Sequence, residues 1–124
     1  MTDAPSEQLL ALAARVEAAK AGEQRELLIV AFSLIFPDHY MEGRSGIGPS
    51  RWSTFKQMID PGAYESAAMQ LVPEGWRKSY DDLDDGRCGW RFERDNEQIY
   101  SNAATPALAL TAAALRAHAS GEQG

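Results

Sequence analysis

The chain has 124 residues, 44% of them hydrophobic, a size that closes around one core and leaves little for a second, so one domain over residues 1–124 is expected. Twelve Lys and Arg against eighteen Asp and Glu give a net charge of −6, which disfavours direct nucleic-acid binding, because that binding is driven by basic side chains displacing counterions. Cys88 is the single cysteine, which excludes an internal disulfide and a thiolate-only metal site.

The opening Met1-Thr2-Asp3-Ala4-Pro5 carries an acid where a secretory signal carries a base, and no apolar segment follows it directly, so a cytoplasmic location is expected. The longest apolar run, Leu27 to Phe36, falls short of the roughly 20 residues that cross a bilayer, and no membrane association is expected. Residues 1–5 and 121–124 read as disordered ends.

From residue 6 to 21, Leu9, Leu12, Ala13, Val16 and Ala19 recur at three- and four-residue intervals, which predicts an amphipathic helix ended by a left-handed Gly22. A second helix is predicted from Glu23 to Phe36, with Glu23 and Glu26 at the positive end of its dipole and Pro37 closing it. Its nearly continuous apolar character implies burial on more than one side. Glycines and prolines then interrupt every period between Asp38 and Gly62, a loop-rich segment. Trp52, Phe55, Met58 and Ile59 have helical spacing within it, compatible with a short helix or an irregular docked strand.

A short helix is predicted over 63–72, with Tyr64, Ala67, Ala68 and Leu71 on one face, before the turn Pro73-Glu74-Gly75. Alternation over Trp76 to Tyr80 and over Cys88 to Phe92 predicts two strands joined by Asp81-Asp82-Leu83-Asp84-Asp85-Gly86, whose Asp-Gly ending suits an antiparallel turn. A third strand is expected from Gln98 to Ser101, beyond a turn at Asp95 and Asn96. Thr105-Pro106 reads as a cap followed by proline at the first position of a last helix, which ends near Gly121 and covers the sheet through Leu108, Ala112, Leu115 and Ala119. The expected class is α/β in the α+β sense: a helix, antiparallel sheet, helix sandwich with N-terminal helices and a C-terminal helix on three strands.

Candidate chemistry is sparse. Asp81, Asp82, Asp84 and Asp85 cluster oxygen ligands, but the pattern of a calcium loop fails, with Leu83 at a ligand position and Phe92 where a bidentate glutamate is needed. His39 and His118 have no nucleophile or ligand set beside them. His118 fits a capping role near the negative end of the last helix, and Asp38-His39-Tyr40 marks a loop suited to binding. Arg44 and Arg51 lie in a glycine- and hydroxyl-containing stretch that lacks the spacing of a phosphate loop. Cys88 shares a face with Trp90 and Phe92 and is expected to be inert. No catalytic residue, metal or cofactor is expected.

The phrases Ala63-Tyr64-Glu65-Ser66-Ala67-Ala68-Met69-Gln70-Leu71-Val72-Pro73-Glu74-Gly75-Trp76 and Ala104-Thr105-Pro106-Ala107-Leu108-Ala109-Leu110-Thr111-Ala112-Ala113-Ala114-Leu115-Arg116-Ala117 resemble those of small phage and prophage proteins of unknown function related to the phage ABA sandwich domain family. The opening Leu10 to Glu26 is also similar, and Asp38 to Asp60 departs from the resemblance. It implies a helix, a short antiparallel sheet and a returning helix, and it carries over no catalytic residue. The resulting expectation is not an enzyme but a phage-type accessory protein, a monomer or small homo-oligomer, that binds a host or phage protein within a nucleic-acid-binding complex. Inhibition of a host defence complex, in the manner of an anti-CRISPR, is the form considered. The expected contact residues are Asp81, Asp82, Asp84, Asp85, Glu93, Asp95 and Glu97, with His39, Tyr40, Arg44, Arg51 and Trp52. The alternatives are a small enzyme using the Asp38-His39 loop and an oligomeric phage structural component.

Overall fold

The computed structural model describes residues 6–40 and 50–123. Its elements in chain order are α1 (Ser6–Ala18), a single 3-10 turn (Ala21–Glu23), α2 (Gln24–Ile35), α3 (Arg51–Ile59), α4 (Tyr64–Met69), β1 (Arg77–Asp82), β2 (Cys88–Arg94), β3 (Glu97–Ala103) and α5 (Pro106–Gln123). The α+β class and the three-stranded antiparallel sheet expected from the sequence are both present, in the order β1-β2-β3.

The helix α5 is the centre of the molecule. Every residue from Ala107 to Leu115 is buried, because one side of the helix lies on β2 and β3 while α1, α2 and α4 close over the rest. Alanines at 107, 109, 112, 113, 114 and 117 let neighbours approach from all sides, and Leu108, Leu110 and Leu115 fill the space between them. Each fully buried leucine of this kind contributes roughly 1.5–3 kcal/mol by leaving water. Thr105 caps the helix by accepting the Leu108 N–H on its Oγ1 at 3.1 Å, with Pro106 in the first helical position as its sequence requires. The Trp90 indole N–H donates to the Pro106 carbonyl at 3.1 Å, which fixes the start of α5 against β2.

Several boundaries differ from the sequence expectation, each for a local reason. The first helix stops at Ala18, and Gly22 is not left-handed; the Glu23 carboxylate instead accepts the Lys20 N–H at 2.8 Å, so the next helical segment begins before Gly22. The part of the loop-rich segment from residue 51 on is the helix α3, started by Ser50, whose Oγ accepts the Ser53 N–H at 3.0 Å, and held by buried Trp52, Phe55 and Ile59. Predicted helix 63–72 is shorter, with α4 giving way after Met69 to tight turns through Leu71 and Val72. The last helix continues past Gly121 to Gln123, through part of the end expected to be disordered. Residues 1–5 lie outside the described residues.

All three strands are longer than the sequence patterns indicate. β1 runs on to Asp82, so Asp81 and Asp82 belong to the ladder, opposite Gly89 and Cys88, and not to the turn. Alternation stops being a guide there because the helix layer lies on β2 and β3 and stops short of β1, all six of whose residues are exposed. β2 and β3 meet through a tight turn in which Asp95 adopts a left-handed φ of 49°, a conformation that Asp and Asn tolerate better than most residues. Among the described residues, no helix is long and apolar enough to cross a membrane.

Candidate functional site

The β1–β2 connection is a compact loop with two backbone hydrogen bonds, Leu83 N–H to the Arg87 carbonyl at 2.9 Å and Gly86 N–H to the Leu83 carbonyl at 3.0 Å. Gly86 supplies the positive φ of 84° that the reversal needs. Asp85 accepts the Arg87 N–H at 3.0 Å, which spends one carboxylate on shaping the turn. Asp81 and Asp82 lead into this loop on the exposed strand, and Asp84 stands at its tip. Among the described residues, no Lys, Arg or His side chain forms an ion pair with Asp81, Asp82, Asp84 or Asp85. Tyr80 donates its hydroxyl to Asp82 at 2.6 Å, and that hydrogen bond raises the Tyr80 pKa by stabilising the protonated phenol.

The other acidic residues expected at the same surface lie elsewhere. Glu93, Asp95 and Glu97 sit at the β2–β3 turn, at the end of the sheet opposite the β1–β2 loop. They also differ in charge balance. Glu93 faces Arg77 at 3.8 Å and accepts from Gln98, while Glu97 pairs with Arg94 at 2.6 Å and accepts the Ser120 hydroxyl. Ser120 and Arg94 hold the Glu97 carboxyl below its ordinary pKa, because each stabilises the ionised form. Arg94 also lies 4.2 Å above the Trp76 ring. Glu93 and Glu97 therefore have basic partners at this end, while Asp95 forms no ion pair among the described residues.

His39, Tyr40, Arg51 and Trp52 do come together, around Phe36 at the end of α2. The His39 and Tyr40 N–H groups both donate to the Phe36 carbonyl, at 3.0 and 3.1 Å, folding the chain back on the helix end. The Phe36 ring meets His39 and His118 edge-on, with centroids at 6.2 and 6.0 Å, and carries the Arg51 guanidinium 4.2 Å above it. Tyr40 packs edge-on against Trp52 at 5.0 Å. His118 lies short of the last turn of α5, which carries no basic residue, and its Nε2, 2.7 Å from the Leu71 carbonyl, ties α5 to the end of α4. Arg44 lies outside the described residues.

One polar network was not foreseen. Glu17, at the end of α1, pairs with Arg116 of α5 at 2.7 Å, and a second Arg116 nitrogen donates to it at 2.8 Å. Arg116 also donates to Ser101, Arg87 donates to the Asn102 side chain at 2.8 Å and to the Glu17 carbonyl at 2.7 Å, and the Asn102 N–H reaches Glu17 at 3.3 Å. The carboxylate thus closes the outer edge of β3 and joins helix to sheet. A charged residue amid the apolar stretch of α5 was the available signal, since a cation so placed needs a partner. Among the described residues, no group of three or more His, Cys, Asp and Glu side chains is placed to hold a metal ion.

Searches against protein-family models, curated proteins and solved structures find no match to this chain.

Proposed function

We propose that this protein acts by binding, docking its acidic β1–β2 hairpin on a basic surface of a macromolecular partner. The observation that carries the reading is the contrast between the two ends of the sheet. Glu93 and Glu97 have basic partners within the fold, whereas Asp81, Asp82, Asp84 and Asp85 form no ion pair among the described residues. Four carboxylates on an exposed strand and turn repel one another, and a positively charged partner relieves that repulsion while gaining electrostatic steering. A basic surface able to accept them is one that otherwise accepts phosphates. The partner is therefore a nucleic-acid-binding protein, and occupation of its groove inhibits it. This agrees with the resemblance to phage proteins and with an accessory role against a host defence complex, as anti-CRISPR proteins have, in the host cytoplasm.

Affinity capture from a bacterial lysate tests the reading. The expected result is recovery of a nucleic-acid-binding protein that excess duplex DNA releases and that raised salt weakens. Recovery of no such protein at moderate salt, or of one indifferent to DNA and salt, contradicts it.

A further inference from the structure

The hairpin leaves one other feature of β1 unexplained, which is the arrangement of its backbone and charges along the free edge. The strand reads Arg77-Lys78-Ser79-Tyr80-Asp81-Asp82, basic at its start and acidic at its end. It is an outer strand of the sheet, and among the described residues no strand pairs with its other side. The Leu83 N–H donates to the Arg87 carbonyl, and in the antiparallel register that continues from there Ser79 and Asp81 face Arg91 and Gly89. Hydrogen-bonded pairs alternate along such a ladder, so Ser79 and Asp81 turn their amides toward β2 while Lys78, Tyr80 and Asp82 turn theirs outward.

We infer that β1 is a self-pairing edge, on which a second copy of this chain adds its own β1 antiparallel about a twofold axis at Tyr80. This goes beyond the hairpin reading and does not depend on it. In that register Lys78 of each copy stands opposite Asp82 of the other, Tyr80 opposite Tyr80, and Ser79 opposite Asp81. The three outward-facing positions then form three pairs, each exchanging two backbone hydrogen bonds, and the two sheets become one of six strands. Arg77 comes diagonal to Asp81 on the opposite face, so both faces of the junction are charge-matched.

Charged residues on an edge strand often serve to repel other strands. This arrangement repels a parallel neighbour, which sets Arg77 and Lys78 against their own kind. An antiparallel copy is attracted instead. Sliding the axis to Lys78 or Asp81 sets like charges opposite each other, and sliding it to Ser79 leaves only Lys78 and Tyr80 to hydrogen-bond, so charge and backbone together select the Tyr80 centre. Among the described residues, Lys78 has no carboxylate partner within its own chain; its ammonium reaches the Trp76 carbonyl at 3.3 Å. Pairing turns Asp81 and Asp82 to the second copy and leaves Asp84 and Asp85 of each loop exposed, at opposite ends of the joined sheet.

The test is the mass of the intact protein in solution, by light scattering on a sizing column across about 1–100 µM. The expected wild type is a dimer. Lys78→Glu and Asp82→Lys each set like charges across the junction and are expected to be monomers with unchanged far-ultraviolet circular dichroism, and the two changes combined are expected to restore the dimer. A Tyr80→Pro variant, which removes an outward amide and spares the β1–β2 ladder, is expected to be monomeric as well. A monomeric wild type over the whole range overturns the inference, as does a dimer that persists in both single variants. Mass reads the pairing and lysate capture reads the hairpin, so either proposal fails without the other.

Discussion

Glu17 shows how much of this fold is held by side chains that periodicity does not weigh. As the last glutamate of an amphipathic helix it reads as a solvated residue, yet it takes both nitrogens of Arg116 and the outer amide of Asn102. Its side chain is 24% exposed and that of Arg116 27%, between a surface pair and a buried one. Removing Glu17 leaves a half-buried guanidinium with its bond to Ser101 but no counter-charge, and an edge amide without its acceptor. Glu17→Ala is expected to lower stability by about 1–3 kcal/mol, read from the urea midpoint at unchanged slope. The surface carboxylates act differently. Arg25 and Lys56 hold Asp60 below its ordinary pKa, and Ser120 and Arg94 do the same for Glu97. A folded-state pKa below the unfolded value means that the stabilisation is complete above the ordinary carboxylate range and is lost as pH falls through the lowered value. The thermal midpoint is expected to be flat from about pH 7 to 5 and to fall below about pH 4, less steeply when Asp60→Asn and Glu97→Gln are combined. A double variant with the wild-type acid slope contradicts the assignment.

At the scale of elements, legibility followed packing. The start of α5 was readable because Thr105-Pro106 states a cap and a first turn in chemical terms, and β2 was readable because its inner face is buried and alternates with an outer one. Thr105→Ala is expected to cost about 1–2 kcal/mol in denaturant unfolding, since the Leu108 amide loses its acceptor and Gln24 loses the Thr105 hydroxyl bonded to it. An effect within a few tenths of a kcal/mol contradicts the capping role. α3 is compatible with either a short helix or an irregular strand on its spacing alone, because the surrounding glycines and prolines break the period, and the Ser50 cap is what starts the helix. The end of β1 is illegible for the opposite reason: Asp81-Asp82 reads as turn chemistry, and an uncovered edge gives no burial pattern to argue otherwise.

For the whole molecule, the consequence of a helix layer that stops at β2 is that the protein has an inside and a margin. α5 and the helices around it account for nearly all of the buried core, whereas β1 and its loop add exposed charge and little burial. Of the contact residues expected together, sequence could place Asp81, Asp82, Asp84 and Asp85 beside one another because they are neighbours in the chain. It could not separate them from Glu93, Asp95 and Glu97, since only strand direction sets those at the far end of the sheet. The gathering of His39, Tyr40, Arg51 and Trp52 around Phe36 was likewise a matter of tertiary packing.

These two surfaces give the most direct test of a protein that works through its acidic margin. Partner recovery from a bacterial lysate, quantified by mass spectrometry, is compared for the wild type, for a variant with Asp81, Asp82, Asp84 and Asp85 all changed to Ser, and for one with Tyr40→Ala and Arg51→Ala. The account predicts that the serine variant loses the partner by tenfold or more, about 1.4 kcal/mol, while the second variant keeps it. Retention by the serine variant together with loss in the second would contradict it.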